Sequence, residues 1–193
     1  MKKENILILG GTSHTMKILA SYNFYNIEDI TYYNKNEIYG KYDWTYLDMG
    51  DFSTIDLFLT KINDKKYSKI IFAIGNSFVG DENNIEELVL FYKAYLINYI
   101  YLINNLIKNL KSNGQIIFIS SIASEIPIQN AHYSAVKAGV EAFIRSKSIS
   151  MKENQILYSI SPSTISQEIA KQICQVIMFS NYTVSGKTIK VGW

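Results

Sequence analysis

Several things are scarce in this 193-residue chain, and each scarcity excludes something. A single cysteine, Cys174, rules out an intrachain disulfide, and its place in an apolar helical pattern marks a buried, inert thiol. Two prolines and ten glycines leave no flexible linker, low-complexity tract or collagen-like repeat. Charge of either sign is nearly balanced: 19 Lys and Arg against 17 Asp and Glu give a net +2. That is too little to argue for nucleic acid or an anionic membrane as partner. Arg145 is the only arginine. No apolar run approaches a membrane span, and the one behind Met1-Lys2-Lys3 stops at Gly10-Gly11, too short for an export signal. The expectation is a cytoplasmic protein without membrane attachment.

What is present is a core. Hydrophobic residues make up 48% of the chain and charged ones 19%, as in a single globular domain over residues 1–193. Continuous apolar runs at Ile6–Leu9, Ile70–Ile74, Ile116–Ile119, Ile156–Ile160 and Thr188–Val191 read as strands covered on both faces. Ile30–Tyr33 and Trp44–Leu47 are weaker strand signals. Between them lie helical patterns at Thr15–Ser21, Ser53–Asn63, Ile85–Lys111, His132–Ser148 and Gln167–Phe179. Pro127 and Pro162 fall just after strands, where loops are expected. Strand and helix in alternation predict an α/β, three-layer Rossmann fold: a doubly wound, mostly parallel, seven-stranded sheet. The Ile85–Lys111 helix is apolar almost all round, so two sides need cover. Either its own neighbours roof the second side or a second subunit does.

The first strand leads into Gly10-Gly11-Thr12-Ser13-His14-Thr15-Met16. In such folds a tight turn here aims a helix N-terminus at a dinucleotide pyrophosphate. Gly10 suits the turn, and Thr12, Ser13 and Thr15 offer hydroxyls and N–H groups to phosphate. The end of the second strand, Tyr32-Tyr33-Asn34-Lys35, lacks the acid that usually holds the adenine ribose of NAD. Lys35 is either a 2′-phosphate ligand, which favours NADP(H) over NAD(H), or a solvated loop lysine.

Tyr133-Ser134-Ala135-Val136-Lys137 opens a helix with phenol and ammonium on one face. A nearby cation lowers a phenol pKa, so the pair suits proton transfer to a carbonyl oxygen. In a chain so rich in Tyr and Lys, chance alone supplies about one such spacing. Context adds weight: Ser121 closes a strand, where open α/β sheets build their sites. Asn98 is a helix-interior amide that is either functional or a cap or kink residue.

Asn98, Ser121, Tyr133 and Lys137, in that order and on those elements, resemble the catalytic tetrad of the short-chain dehydrogenase/reductase family. Leu9-Gly10 with Thr12-Ser13 is similar to the start of that family's TGxxxGxG loop, and Phe72-Ala73-Ile74-Gly75 stands at its NNAG turn. Ser161-Pro162 is similar to its PG loop, and Val184–Gly192 to its closing segment. The resemblance implies Tyr133 as general acid/base, Lys137 on the nicotinamide ribose and Ser121 orienting substrate. Asn98 would support a water that links Lys137 to solvent. It also implies Asp48 and Met49 at the adenine, Ala73, Ile74 and Gly75 along the cofactor, and Pro162 near the nicotinamide. The substrate would be a small carbonyl or alcohol and the assembly a homodimer or homotetramer.

Three departures stand out. His14 and Met16 replace the second and third loop glycines, where a Cβ should push cofactor or helix outward, unless the His14 imidazole compensates with a hydrogen bond to phosphate. The chain after Ser161-Pro162-Ser163-Thr164 enters its last helix without the family's flap, leaving an open site. The segment between the second and third strands is also too brief for a full helix. A non-catalytic relative that binds dinucleotide or protein is the alternative to an NAD(P)-dependent oxidoreductase. Isomerase, dehydratase or epimerase chemistry on a tightly held cofactor is a third.

Overall fold

The computed structural model of the chain describes residues 5–13, 16–17, 26–32, 42–126, 128–164, 166–180 and 182–192. The strands are β1 (Asn5–Leu9), β2 (Asn26–Tyr32), β3 (Asp43–Tyr46), β4 (Tyr67–Phe72), β5 (Leu110–Ile119), β6 (Ile156–Pro162) and β7 (Thr188–Val191). They form one sheet in the order β3-β2-β1-β4-β5-β6-β7. Every neighbouring pair is parallel, as the continuous apolar runs require.

Successive side chains of a strand point to opposite faces, and the core divides accordingly. On one face Leu7, Leu9, Ile116 and Phe118 pack with α1 (Phe52–Lys61), α3 (Asn98–Leu106) and α4 (Ala131–Ser148). On the other, Ile6, Ile8, Ile117 and Ile119 pack with α5 (Gln167–Phe179) and with Met16. Three layers result. Strand order reverses between β1 and β4, so the chains leaving these two strands diverge and open a crevice at their carboxyl ends.

The expected single helix Ile85–Lys111 is instead α2 (Ile85–Tyr92), a π turn over Lys93–Ile97 and α3, closed by a 3₁₀ turn at Ile107–Asn109. At the π turn the Asn98 N–H reaches back to the Lys93 carbonyl, five residues earlier. The far end is set by tertiary bonds that no local signal announces. Leu110 already pairs with Tyr67, and the Asn109 amide donates to the Ile62 and Lys65 carbonyls at 2.8 and 2.9 Å. The turn-like Ser112-Asn113-Gly114 lies inside the β5 span, where the β4–β5 register shifts. Pro162, expected in a loop, is the last residue of β6 and pairs with Val191 of the edge strand β7. Such a border position spares it a ladder N–H. Ile85, Val89, Leu90 and Ile97 remain exposed. In the isolated chain, neighbours cover only one side of these helices. Pro127 and most of the expected Thr15–Ser21 helix lie outside the described residues.

Candidate active site

The crevice is a cleft of about 250 Å³, lined from one side by Gly10, Thr12 and Ser13 and from the other by Ala73, Ile74, Gly75 and Asn76. Thr31, Tyr32, Leu47, Asp48 and Met49 close one end, and Tyr95 stands at the other. Gly10 makes the turn that lets β1 and β4 deliver these loops side by side. Its φ is +85°, and a Cβ there would lie 2.9 Å from the Ala73 backbone, so both conformation and space demand glycine. The Gly10 N–H donates to the Thr31 hydroxyl at 2.9 Å, and the Gly11 N–H to the Thr31 carbonyl at 2.9 Å. The Ala73 N–H donates to the Leu9 carbonyl at 2.8 Å.

Met16, in place of a glycine, is fully buried among the isoleucines of β1 and β2. At this point a side chain is inserted against the sheet where the family has a glycine. His14, Thr15, Asn34 and Lys35 lie outside the described residues.

The far wall is fixed from beneath. The Asn98 amide donates to the Met49 carbonyl at 2.6 Å, tying the loop after β3 to α3. The Tyr99 hydroxyl donates to the Ile74 carbonyl, tying the loop after β4 to the same helix. Burial holds the Tyr99 phenol well above its ordinary pKa, with Tyr95 and Tyr133 adding to the shift, so it stays a donor.

A narrower nook opens where Ile74, Gly75, Asn76 and Tyr95, all shared with the cleft, meet Tyr133, Val136 and Lys137 of α4. The Asn130 side chain positions the start of α4, accepting from the Tyr133 N–H and donating to the Phe78 carbonyl, both at 2.9 Å. Lys137 is 4% exposed. Its ammonium donates to the Ile119 carbonyl at 3.1 Å and sits 4.6 Å from the Phe118 ring centre and 5.5 Å from that of Tyr133. A Cβ on Gly75 would come within 3.1 Å of Lys137 Nζ, so the glycine makes room for the ammonium where nook and cleft adjoin. Burial lowers the Lys137 pKa to about 8, against an upward pull from Glu141. Ser121 caps a 3₁₀ turn after β5, accepting from the Ala123 N–H at 3.2 Å.

Tyr133 differs from expectation in one respect. Its pKa is raised, because burial outweighs the opposing hydrogen bond with Ser121, and the lysine does not reverse this. The phenol is a held proton.

The structure thus brings Gly10, Thr12, Ser13, Asp48, Met49, Ala73, Ile74 and Gly75 to one cleft, with Tyr133 and Lys137 adjoining it. Pro162 is buried at the end of β6, outside the lining of the cleft. Sequence reasoning missed Thr31, Asn76, Tyr95 and Tyr99. Thr31 carried a signal, a hydroxyl in an apolar strand. The two tyrosines were hidden among apolar neighbours of one helical pattern.

The cleft thus sets a glycine turn with Thr12 and Ser13 against the loop after β4, and a buried cation lies in the nook beside it. Residues 79–190, more than half of the chain, match the family model adh_short_C2, described as Enoyl-(Acyl carrier protein) reductase. The chain belongs to the short-chain dehydrogenase/reductase family. No curated protein matches it in sequence.

Among solved structures it is similar to the protein lin1944 from Listeria innocua, at 17% identity and a TM-score of 0.79 over 97% of this chain and 98% of that one. It is similar to BdcA in complex with NADPH, at 14% identity and a TM-score of 0.82 over 97% and 92%. A short chain dehydrogenase family protein from Francisella tularensis aligns at 16% identity and a TM-score of 0.81 over 97% and 96%. At these identities the structures establish the shared fold. Membership of the family supports an oxidoreductase and a nicotinamide dinucleotide as cofactor. Among the described residues, no helix is long and apolar enough to cross a membrane and no cluster of metal-ligating side chains is found.

Proposed function

We propose that the protein interconverts a ketone and a secondary alcohol with an NAD(P) cofactor, using Tyr133 as general acid/base. The observation that carries this reading is the junction at Gly75, where the cleft and the Tyr133–Lys137 nook share four lining residues. The cofactor, when bound, supplies or accepts a hydride. The protein's own groups do the rest. Gly10 makes the turn that admits the pyrophosphate, Thr12 and Ser13 offer it their hydroxyls, and Asp48 and Met49 flank the adenine end. Lys137 meets the ribose hydroxyls through the gap at Gly75. Tyr133 gives its proton to the carbonyl oxygen, and Ser121 holds that oxygen in line. Because burial keeps Tyr133 protonated, carbonyl reduction is favoured at neutral pH and alcohol oxidation grows as pH rises.

NADP(H) over NAD(H) rests on Lys35 and on the absence of an acid in Tyr32-Tyr33-Asn34-Lys35. The BdcA structure, with NADPH, is consistent with it. The test is separate titration of the purified protein with NADPH and NADH, followed by nicotinamide fluorescence. Saturable binding, tighter for NADPH, is expected; no binding of either at millimolar concentration would overturn the reading.

The exposed stripe Ile85, Val89, Leu90 and Ile97 supports a homodimer or homotetramer formed through these helices. Sedimentation should show an oligomer at micromolar concentration, and Ile97→Glu should shift it to monomer.

A further inference from the structure

Tyr133, Lys137 and Glu141 follow one another at four-residue intervals along α4 and therefore share one face. Lys137 and Glu141 are both buried, 4% and 3% exposed. Residues four apart on one helix face are neighbours, so Glu141 sits one turn from Lys137 within the same buried face.

A buried ammonium without a counter-charge is costly. Every other contact of Lys137 described above is neutral: the Ile119 carbonyl and the rings of Phe118 and Tyr133. The remaining titratable groups that line the nook are the phenols of Tyr95 and Tyr99, from the π turn and α3. No carboxylate lines it among the described residues. Burial and Glu141 are the two influences on the ammonium, in opposite directions. Meanwhile Glu141 Oε1 is buried with no hydrogen-bond partner. A buried polar atom left so calls for a reason. A carboxylate that acts through its field on a nearby cation has one.

We propose that Glu141 is a positioning residue for the site: its buried charge, one turn beyond Lys137, keeps the lysine an ammonium able to donate to the cofactor ribose. This rests on the assignment of Lys137 to the ribose. It extends the working unit of α4 from two residues to three.

The experiment is a titration of Lys137 itself in the cofactor-free protein. Lysine labelled with ¹³C at Cε is followed by NMR, and the Lys137 signal is assigned by its loss in Lys137→Met. The wild-type midpoint is expected near pH 8. Glu141→Gln should lower it by about one pH unit or more, and Glu141→Asp, which keeps the charge, by less than about half a unit. An unchanged midpoint in Glu141→Gln overturns the proposal, as does an equal fall in Glu141→Asp.

Should Glu141→Gln fail to fold, the substitution is placed in the Lys137→Met background. There it removes a lone buried charge and should raise the urea midpoint above that of Lys137→Met alone; a fall would overturn the proposal. NADPH binding to the wild type is read separately. Its failure would remove the ribose assignment without touching the lysine titration.

Discussion

At the carboxyl ends of β1 and β4 each loop is tied to a neighbour, whereas beyond β6 four residues, 163–166, carry the chain straight into α5. The first region has Gly10 bonded to Thr31, Ala73 to Leu9, Ile74 to Tyr99 and Met49 to Asn98. Among its described residues the second has the Ser163 N–H on the Val191 carbonyl and Ser166 capping α5, its hydroxyl accepting from Ile169 and its carbonyl from Ala170. The carboxyl ends of the central strands β1 and β4 are thus held by bonds to other elements, while the described residues after β6 are tied only to β7 and to the start of α5. Precise placement of reacting groups and exclusion of water are separate contributions to catalysis. The bonds at β1 and β4 bear on the first.

The largest expected effect breaks the comparison at its chemical end. Tyr133→Phe removes the proton donor and little else, since the ring still packs beside Lys137. Turnover of any ketone the protein reduces should fall by roughly 10²–10⁴-fold, with NADPH affinity within about twofold of wild type. A variant that retains its rate would take Tyr133 out of the reaction.

Gly10→Ala attacks the tied region. A side chain at φ +85° costs about 1–2 kcal/mol, and its Cβ would press on the Ala73 backbone at 2.9 Å, forcing the two loops apart. NADPH binding should weaken on the order of tenfold or more, and thermal stability should drop with it. Unaltered affinity by fluorescence titration would mean the ligand does not depend on this turn.

How much of this was legible beforehand follows the range of the forces involved. The strands showed because both-face burial writes itself as continuous runs such as Ile116–Ile119, and Gly10 and Tyr133–Lys137 showed because their chemistry sits within a few residues. The break of the Ile85–Lys111 pattern did not. Its end at Asn109 is tied to Ile62 and Lys65, and its π turn leads into Asn98, which bonds Met49, all partners remote in sequence. The raised Tyr133 pKa was likewise invisible, because spacing reveals the neighbouring cation but not the degree of burial that outweighs it. Met16, read as displacing helix or cofactor, is fully buried in the core, a burial that its place in the loop does not announce.

A smaller effect tests how deeply the tied region is buried. The folded-state pKa of Lys137, about 8, lies below its ordinary 10.5. Between these values the unfolded chain binds more protons, so stability rises with pH across that window. Cys174, pushed up to about 11 by burial, and the raised phenols of Tyr99, Tyr133 and Tyr158 act in the opposite sense only above their ordinary values of 9 and 10. Between pH 8 and 9 the lysine should therefore dominate these four, adding about 1 kcal/mol in urea unfolding. Lys137→Met should flatten that rise. A profile already flat in the wild type would place the ammonium in water.

The smallest effect is expected where the second region is touched. Thr164 is exposed in the four-residue crossing from β6 to α5. If that crossing has no closing role, Thr164→Ala should change kcat/KM by less than about twofold, within the ordinary range for surface substitutions. A tenfold loss would show that even this short segment folds over the reacting groups. The contrast between the two regions would then be one of length alone.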